Sequence, residues 1–221
     1  MRVPGPILFG VACLVGAAAL GVARPGSAAA ADAELPRGSW SAGALGAYAI
    51  LDMSDLNAAL QASSGSDFEE LGHGWEGALD VRYAFRKEFF VGLEGGYVHG
   101  EAEDRALARD PVEVGGVPLQ VIAGGTVGRS GDLAVRIVAG IGVLLGGGVA
   151  TGGETLASGT GLLTSLGGEA ELRLARGFAV TAQALARQAK VSEPGDLGYD
   201  LDFSGGSLRL GVRGYWGGTT P

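Results

Sequence analysis

Between Gly74 and His99 apolar and polar positions alternate with period two. Trp75, Gly77, Leu79, Val81, Tyr83 and Phe85 share one side, and Glu76, Ala78, Asp80, Arg82 and Ala84 share the other. This spacing predicts a strand. After a polar turn at Arg86-Lys87-Glu88 the alternation resumes. Phe89, Val91, Leu93, Gly95 and Tyr97 now oppose Phe90, Gly92, Glu94, Gly96 and Val98. The stretch therefore predicts a hairpin. Its strands are about 10 residues long, the length a tilted strand needs to cross the apolar part of a bilayer.

The same pattern recurs along the chain. After a short polar lead-in over 32–39, Trp40–Leu51 reads as the first strand, with small residues on one face. A long connection, Asp52–His73, holds a helix over Asp55–Ala62 that Ser54 can cap. The hairpin supplies strands two and three, and Gly100–Pro111 is a charged loop. Strand four covers Val112–Val127. Pro118 is expected near its start or at a bulge, where a missing donor is tolerated. Strand five is Leu133–Leu145, followed by a Gly/Thr-rich loop over Gly146–Gly159. Strands six, seven and eight are Gly161–Leu174, Phe178–Lys190 and Gly206–Trp216, with a long loop at Val191–Gly205 and a short tail after Trp216. Eight strands joined by alternating long and short connections have the rhythm of an outer-membrane barrel, with both termini on the short-turn, periplasmic side.

Composition narrows this picture. The chain has 221 residues and 42 glycines, which argues against a helical protein. Beyond the N-terminal run no segment has about 18 consecutive apolar residues, so a membrane protein built from the mature chain has to be a closed barrel without open edges. The N-terminus reads as a secretory signal: Arg2, an apolar run over Ile7–Ala23, a break at Pro25-Gly26, and small residues from Ser27 to Ala33. Cleavage is expected after Ala31, or after Ala33. The domain division is 1–31 for the signal peptide and 32–221 for the barrel. The competing readings are an uncleaved anchor and lipidation of Cys13, but that cysteine lies inside the apolar run and not at its end. Cleavage removes Arg2 and Arg24 and no acid, taking the formal charge from -8 to about -10. An acidic chain without a Lys/Arg cluster is not a nucleic-acid binder.

Alternation alone does not say which face is outside. The aromatic residues do. Trp40, Phe85, Phe89, Phe178 and Trp216 fall next to the short turns, and Tyr48, Trp75 and Tyr97 next to the long connections. Two aromatic bands match two membrane interfaces. The fold class expected is all-β, an eight-stranded antiparallel up-and-down transmembrane β-barrel; a soluble secreted β-barrel binding module is the competitor.

Over residues 38–216 this strand pattern and loop rhythm resemble the small eight-stranded outer-membrane barrels of Gram-negative bacteria, the class that includes the OmpA transmembrane domain, OmpX and OmpW. The last strand, Arg209 to Trp216, resembles their C-terminal assembly signal. It departs at Gly214 and in the five residues that follow Trp216. The resemblance implies location in the outer membrane, contact with outer-membrane lipid and lipopolysaccharide, and assembly by the barrel-assembly machinery. A monomer is expected.

Under this reading Glu76, Asp80, Glu94, Glu169 and Glu171 share the lumen with Arg82, Arg136, Arg173, Arg187, Arg209 and Arg213. A barrel of eight strands is just wide enough to be filled by side chains, so these charges have to pair. Folding the hairpin about its turn sets Asp80 opposite Glu94. Arginines from other strands, such as Arg136, Arg209 or Arg213, are expected to reach this pair. A structural ion-pair core is the favoured interpretation and an ion-gated pore the alternative.

No catalytic, cofactor or metal site is expected. The two histidines read His73-Gly-Trp and His99-Gly-Glu, without the His-x-Ser pattern of barrel lipid deacylases, and two imidazoles without cysteine are too few for a zinc site. The acids from Asp196 to Asp202 match no calcium-loop spacing. The expected function is a structural or interaction role through the external loops, around a mostly closed ionic lumen. The alternative is a narrow porin-like transporter for small or hydrophobic solutes, and the helix over Asp55–Ala62 is the best sequence feature for a gate or a binding loop.

Overall fold

The computed structural model describes residues 35, 37–64, 69–103, 110–192, 194–195 and 197–217. The expected signal peptide, its cleavage sites and Cys13 lie outside the described residues. Within them the chain forms β1 (Ser39–Leu51), α1 (Ser54–Ser64), β2 (His73–Ala84), β3 (Phe89–Ala102), β4 (Val112–Ser130), β5 (Leu133–Thr151), β6 (Glu154–Ala175), β7 (Phe178–Val191), β8 (Leu201–Asp202) and β9 (Gly205–Gly217). Each long strand pairs antiparallel with the next. The sheet closes on itself through β1–β9, with Trp40 opposite Trp216 and Ala44 opposite Val212. The two-residue β8 is an addition that pairs only with the end of β7. The barrel wall is therefore eight strands.

The β2–β3 hairpin sets Asp80 opposite Glu94 and Trp75 opposite His99, a register dictated by the short turn. At the short-turn end Phe85–Glu88, Gly131–Asp132 and Arg176–Gly177 join the strands. Both ends of the wall's chain path meet there, since Ser39 pairs with Gly217.

Three sequence expectations change. The Gly146–Gly159 segment is not a loop. It continues β5 and β6 beyond the neighbouring strands to a two-residue turn at Gly152–Gly153, with φ of 57° and 82°. Two left-handed residues in succession make the tight turn whose twist matches a hairpin, and glycine adopts them without a Cβ penalty. Ser54 is not the cap of α1. It is the first helical residue; its amide donates to Asp52 Oδ1 at 3.4 Å, and the Met53 carbonyl accepts the first helical hydrogen bond, from Asn57 N, at 2.8 Å. The lead-in is not only polar, because Leu35 is buried inside the short-turn end. Of the two places expected for Pro118 the structure takes the second: it lies well inside β4, next to a bulge between Gly115 and Val117 in the β4–β5 ladder.

Outward-facing positions are apolar. Leu79, Val81, Leu93, Val121, Ile137, Ile141, Leu166, Leu208 and Leu210 are all exposed, up to 68% for Leu210. Inward-facing positions hold the charges. A water-soluble barrel has the opposite polarity. The rings frame the apolar belt. Trp40 packs on Tyr83 at 5.0 Å and Phe85 on Phe89 at 6.3 Å at the short-turn end. Trp75 meets Tyr97 at 5.6 Å at the other. Trp40 and Tyr48 stand eight positions apart on β1. At a rise of about 3.3 Å and a tilt of about 40° that is roughly 20 Å of height, close to the apolar band of a membrane barrel.

Candidate functional site

The inward faces of the strands build three layers. The middle layer is ionic and contains all eleven charged positions expected in the lumen, each buried. Glu76 on β2 receives Arg187 Nη1 at 3.1 Å from β7 and Arg209 Nη2 at 2.5 Å from β9. Arg209 Nη1 also reaches Glu94 Oε1 at 2.8 Å. Gln120 Nε2 donates to the same oxygen at 2.7 Å, and Ser165 Oγ donates to Gln120 Oε1 at 2.8 Å.

Nearer the short turns, Asp80 Oδ2 takes Arg82 Nη2 at 2.9 Å and Arg213 Nη2 at 2.6 Å. Glu169 is the hub. Arg82 Nη1 lies 2.8 Å from its Oε2, while Arg136 Nη1 and Arg213 Nη1 lie 3.0 and 3.1 Å from Oε1. Gln183 Nε2 donates to its Oε2 at 2.6 Å. Glu171 is held by Arg136 Nη1 at 2.9 Å, by Arg213 Nη1 at 3.2 Å and by the Tyr215 hydroxyl; Arg173 Nη2 stands 3.6 Å away. Two guanidiniums also stack on rings, Arg82 over Phe90 at 4.4 Å and Arg173 over Tyr215 at 4.3 Å.

The facing acids Asp80 and Glu94 are thus assigned to different cations, Arg213 with Arg82 and Arg209 respectively. Arg136 does not reach this pair and serves Glu169 and Glu171 instead. Gly43 explains how Arg213 gets to Asp80. On β1 it pairs with Asp80 on one side and with Arg213 on the other. A Cβ there would stand 2.9 Å from Asp80 Oδ1 and 3.2 Å from Arg213 Nη2. With glycine in between, the ion pair lies flat across an intervening strand.

The layer above, toward the long connections, is apolar. Leu56 of α1, Leu71, Leu201 and Phe203 pack on Leu51, Val98, Leu144, Leu163 and Val191 from the strands. Asn57 ties α1 to the segment before β2. Its Nδ2 donates to the Leu71 carbonyl at 3.0 Å, and its Oδ1 accepts from Leu71 N at 2.9 Å. The layer below is smaller, with Leu35, Ala84, Phe90, Ile122 and Val138 beside Tyr215. Between the lower layer and the arginines lies a cavity of about 10 Å³, lined by Leu35, Ser41, Phe90, Arg82 and Arg213 among others. That is room for about one water.

The neutral partners Gln120, Gln183, Ser165 and Tyr215 are missing from the sequence-derived network. Their inward parity was the only signal available, and it is shared by apolar residues. The apolar upper layer is also missing from it, because the side chains that cover the strand ends, Leu56, Leu71, Leu201 and Phe203, come from the long connections.

The two histidines sit on the outer wall at the long-connection end. His73 stacks with Tyr48 at 5.8 Å, and His99 packs on Trp75 at 5.4 Å. Among the described residues no three His, Cys, Asp or Glu side chains gather as a metal site. Asp200 is engaged by Lys190 Nζ at 2.8 Å, and Asp202 Oδ1 accepts from Ser204 N at 2.8 Å. Asp196 lies outside the described residues.

No family model matches the chain, and no curated protein matches it. Solved structures do. Neisserial surface protein A aligns with a TM-score of 0.56 at 12% identity, covering 80% of this chain and 99% of that one. OprG of Pseudomonas aeruginosa gives 0.49 at 13% identity, covering 84% and 99%. E. coli outer membrane protein W gives 0.47 at 13% identity, covering 82% and 99%. At such identities the likeness is one of fold. The likeness to Neisserial surface protein A, together with the apolar outer wall and the charged interior, identifies the chain as having the fold of the small eight-stranded transmembrane β-barrels.

Proposed function

We propose that this protein is an integral outer-membrane barrel with a closed lumen, acting structurally or as an interaction platform through its long-connection end. The observation that carries this reading is the layering of the interior. A belt of mutually paired charges lies between two apolar seals, and the cavity beside it has room for about one water. An ion crossing the barrel would have to displace buried side chains and break several charge-assisted bonds. Reconstituted in planar bilayers, the barrel is expected to be electrically silent; a steady ion current would overturn the closed reading. Location is tested separately. The protein should fractionate with the outer membrane and migrate differently on gels before and after boiling, and recovery in the soluble periplasmic fraction would overturn it.

In this reading the short turns face the periplasm, lipid and lipopolysaccharide surround a monomeric barrel, and the barrel-assembly machinery receives the strand that ends at Trp216. Depletion of that machinery should leave the protein unfolded in the periplasm.

One observation favours a second role, transport of small hydrophobic solutes through the wall. The β3–β4 ladder pairs Gly95 with Leu119 and resumes only at Val98 with Gly116. Pro118, which has no N–H, sits in the interval. A leak there would be lateral and would bypass the ionic belt. Uptake of a fatty-acid probe by cells with and without the barrel tests it, and equal uptake sinks this second role.

A further inference from the structure

The two rims of the barrel carry opposite charge. Among the described residues, the exposed basic side chains at the short-turn end are Arg37, Arg86, Lys87, Arg129 and Arg176, against Glu88 and the half-buried Asp132. At the long-connection end the described residues include eleven carboxylates, among them Glu69, Glu101, Glu113 and Glu154, and a single lysine, Lys190.

The basic residues come from four separate places, the approach to β1 and all three short turns, so they are spread around the rim. They stand beside the lower aromatic band. Arg86 follows Phe85, Arg176 precedes Phe178 by two positions, and Arg37 precedes Trp40 by three. Trp40 and Phe85 are exposed at 46% and 42%. Rings of this kind lie at the level of lipid headgroups, so the guanidiniums just beyond them are at the level of the phosphates. A guanidinium presents two parallel N–H groups to a phosphate and suits that role better than a point charge. Arg129 is partly committed, since its Nη2 donates to the Lys87 carbonyl at 2.8 Å and ties two turns together. Arg37, Arg86 and Arg176 carry the argument.

We propose that the short-turn rim is a docking surface for phospholipids with a net negative headgroup, of the phosphatidylglycerol type. The proposal rests on the membrane-barrel reading above. Closeness to the rings selects lipid over an acidic protein, because the phosphates of a bilayer lie within a side chain's length of its hydrocarbon edge. The acidic rim at the other end repels the same headgroups, so the barrel has one leaflet that attracts anionic phospholipid and one that excludes it.

The test uses the full barrel in phosphatidylcholine bilayers containing a trace of spin-labelled phosphatidylglycerol or spin-labelled phosphatidylcholine. The fraction of each probe immobilised on the protein gives their relative association. The wild type is expected to prefer the anionic probe by about threefold, less than the full value of one basic residue at a membrane surface because the lipid shell averages over both rims. The preference should vanish in about 1 M salt, where the screening length is ~3 Å. It should also vanish in the Arg37→Gln/Arg86→Gln/Arg176→Gln variant and survive in Lys190→Gln. Equal association of the two probes with the wild type, or an undiminished preference in the triple variant, overturns the proposal. Selective loss of the preference in inorganic phosphate, relative to chloride of equal ionic strength, would show a free-phosphate site and overturn the assignment to lipid. Heat-modifiable migration in pure phosphatidylcholine is the control. Its failure strikes the membrane-barrel reading, and its success with equal probe association strikes this proposal alone.

Discussion

The ionic belt and the apolar cap above it are built on the same faces of the same strands. On β7 the inward positions run Gln183, Leu185, Arg187 and then Ala189 and Val191. The last charged residue of the belt and the first residue of the cap are two positions apart. On β6 the order in space is the same, with Glu171 and Glu169 in the belt and Leu163 and Ala157 in the cap. The two regions are nevertheless held by different physics. In the belt each carboxylate depends on particular guanidiniums, at distances set by the register of strands far apart in sequence. Its strength is directional, and the loss of one member leaves its partners as buried, uncompensated charge. The cap is held by burial of apolar surface, which is non-directional and tolerates rearrangement. It covers the mouth as a small hydrophobic core would, using α1 and the β8 segment as its lid.

This contrast breaks most sharply at Arg213. Arg213→Ala removes a cation shared by Asp80, Glu169 and Glu171. It should lower resistance to urea in lipid vesicles by about 3–5 kcal/mol. A change below about 1 kcal/mol would mean that the belt does not act as a unit. In the cap, Phe203→Ala empties a fully buried site and should cost about 3 kcal/mol, but locally. Proteolysis within 192–204 should accelerate while heat-modifiable migration stays unchanged. If the whole barrel loses resistance, the two regions are coupled and not separate.

Smaller effects sharpen the comparison. Gly43→Ala places a methyl against the Asp80–Arg213 pair and should cost about 1–3 kcal/mol by overpacking, read by the same urea titration. Gly153→Ala has open space around its Cβ but a φ of 82°, so strain alone should cost about 1 kcal/mol, confined to the hairpin tip and visible as faster amide exchange there. The smallest effect belongs to the exposed Lys190–Asp200 contact. The hydrogen bond that Lys190 Nζ donates to the Asp200 carboxylate, and the charge of that carboxylate, raise the Lys190 pKa above the ordinary lysine value. The tie to the last long connection is therefore fully present below that ordinary value and fades as pH climbs through the raised one. Exchange of amides in 197–204 should quicken over that range, and added salt should mimic it, whereas the buried belt should not respond to salt.

Strand parity was legible throughout because it is local. Any residue's face follows from counting by two, so Glu76, Asp80, Arg136 and Arg213 could be placed inward without knowing their partners. The Asp80–Glu94 register was equally local, since a short turn leaves little freedom. The β5–β6 extension was not legible. Gly146–Gly148 look like loop residues, and only their place between paired neighbours makes them strand. Leu56, Leu71 and Phe203 gave no sign of meeting, because they come from two different connections.

Sequence by itself therefore determined the number and orientation of the wall strands, the apolar outside, the charged inside and the positions of the short turns. All of these rest on period-two alternation and turn chemistry, which act over a few residues. Only the tertiary structure decided who pairs with whom. Arg136 turns away from Asp80 toward Glu169, and Arg209 crosses to Glu76 over a separation of 133 residues. Such choices depend on closing the barrel, which fixes the stagger of distant strands, and no local pattern carries that information.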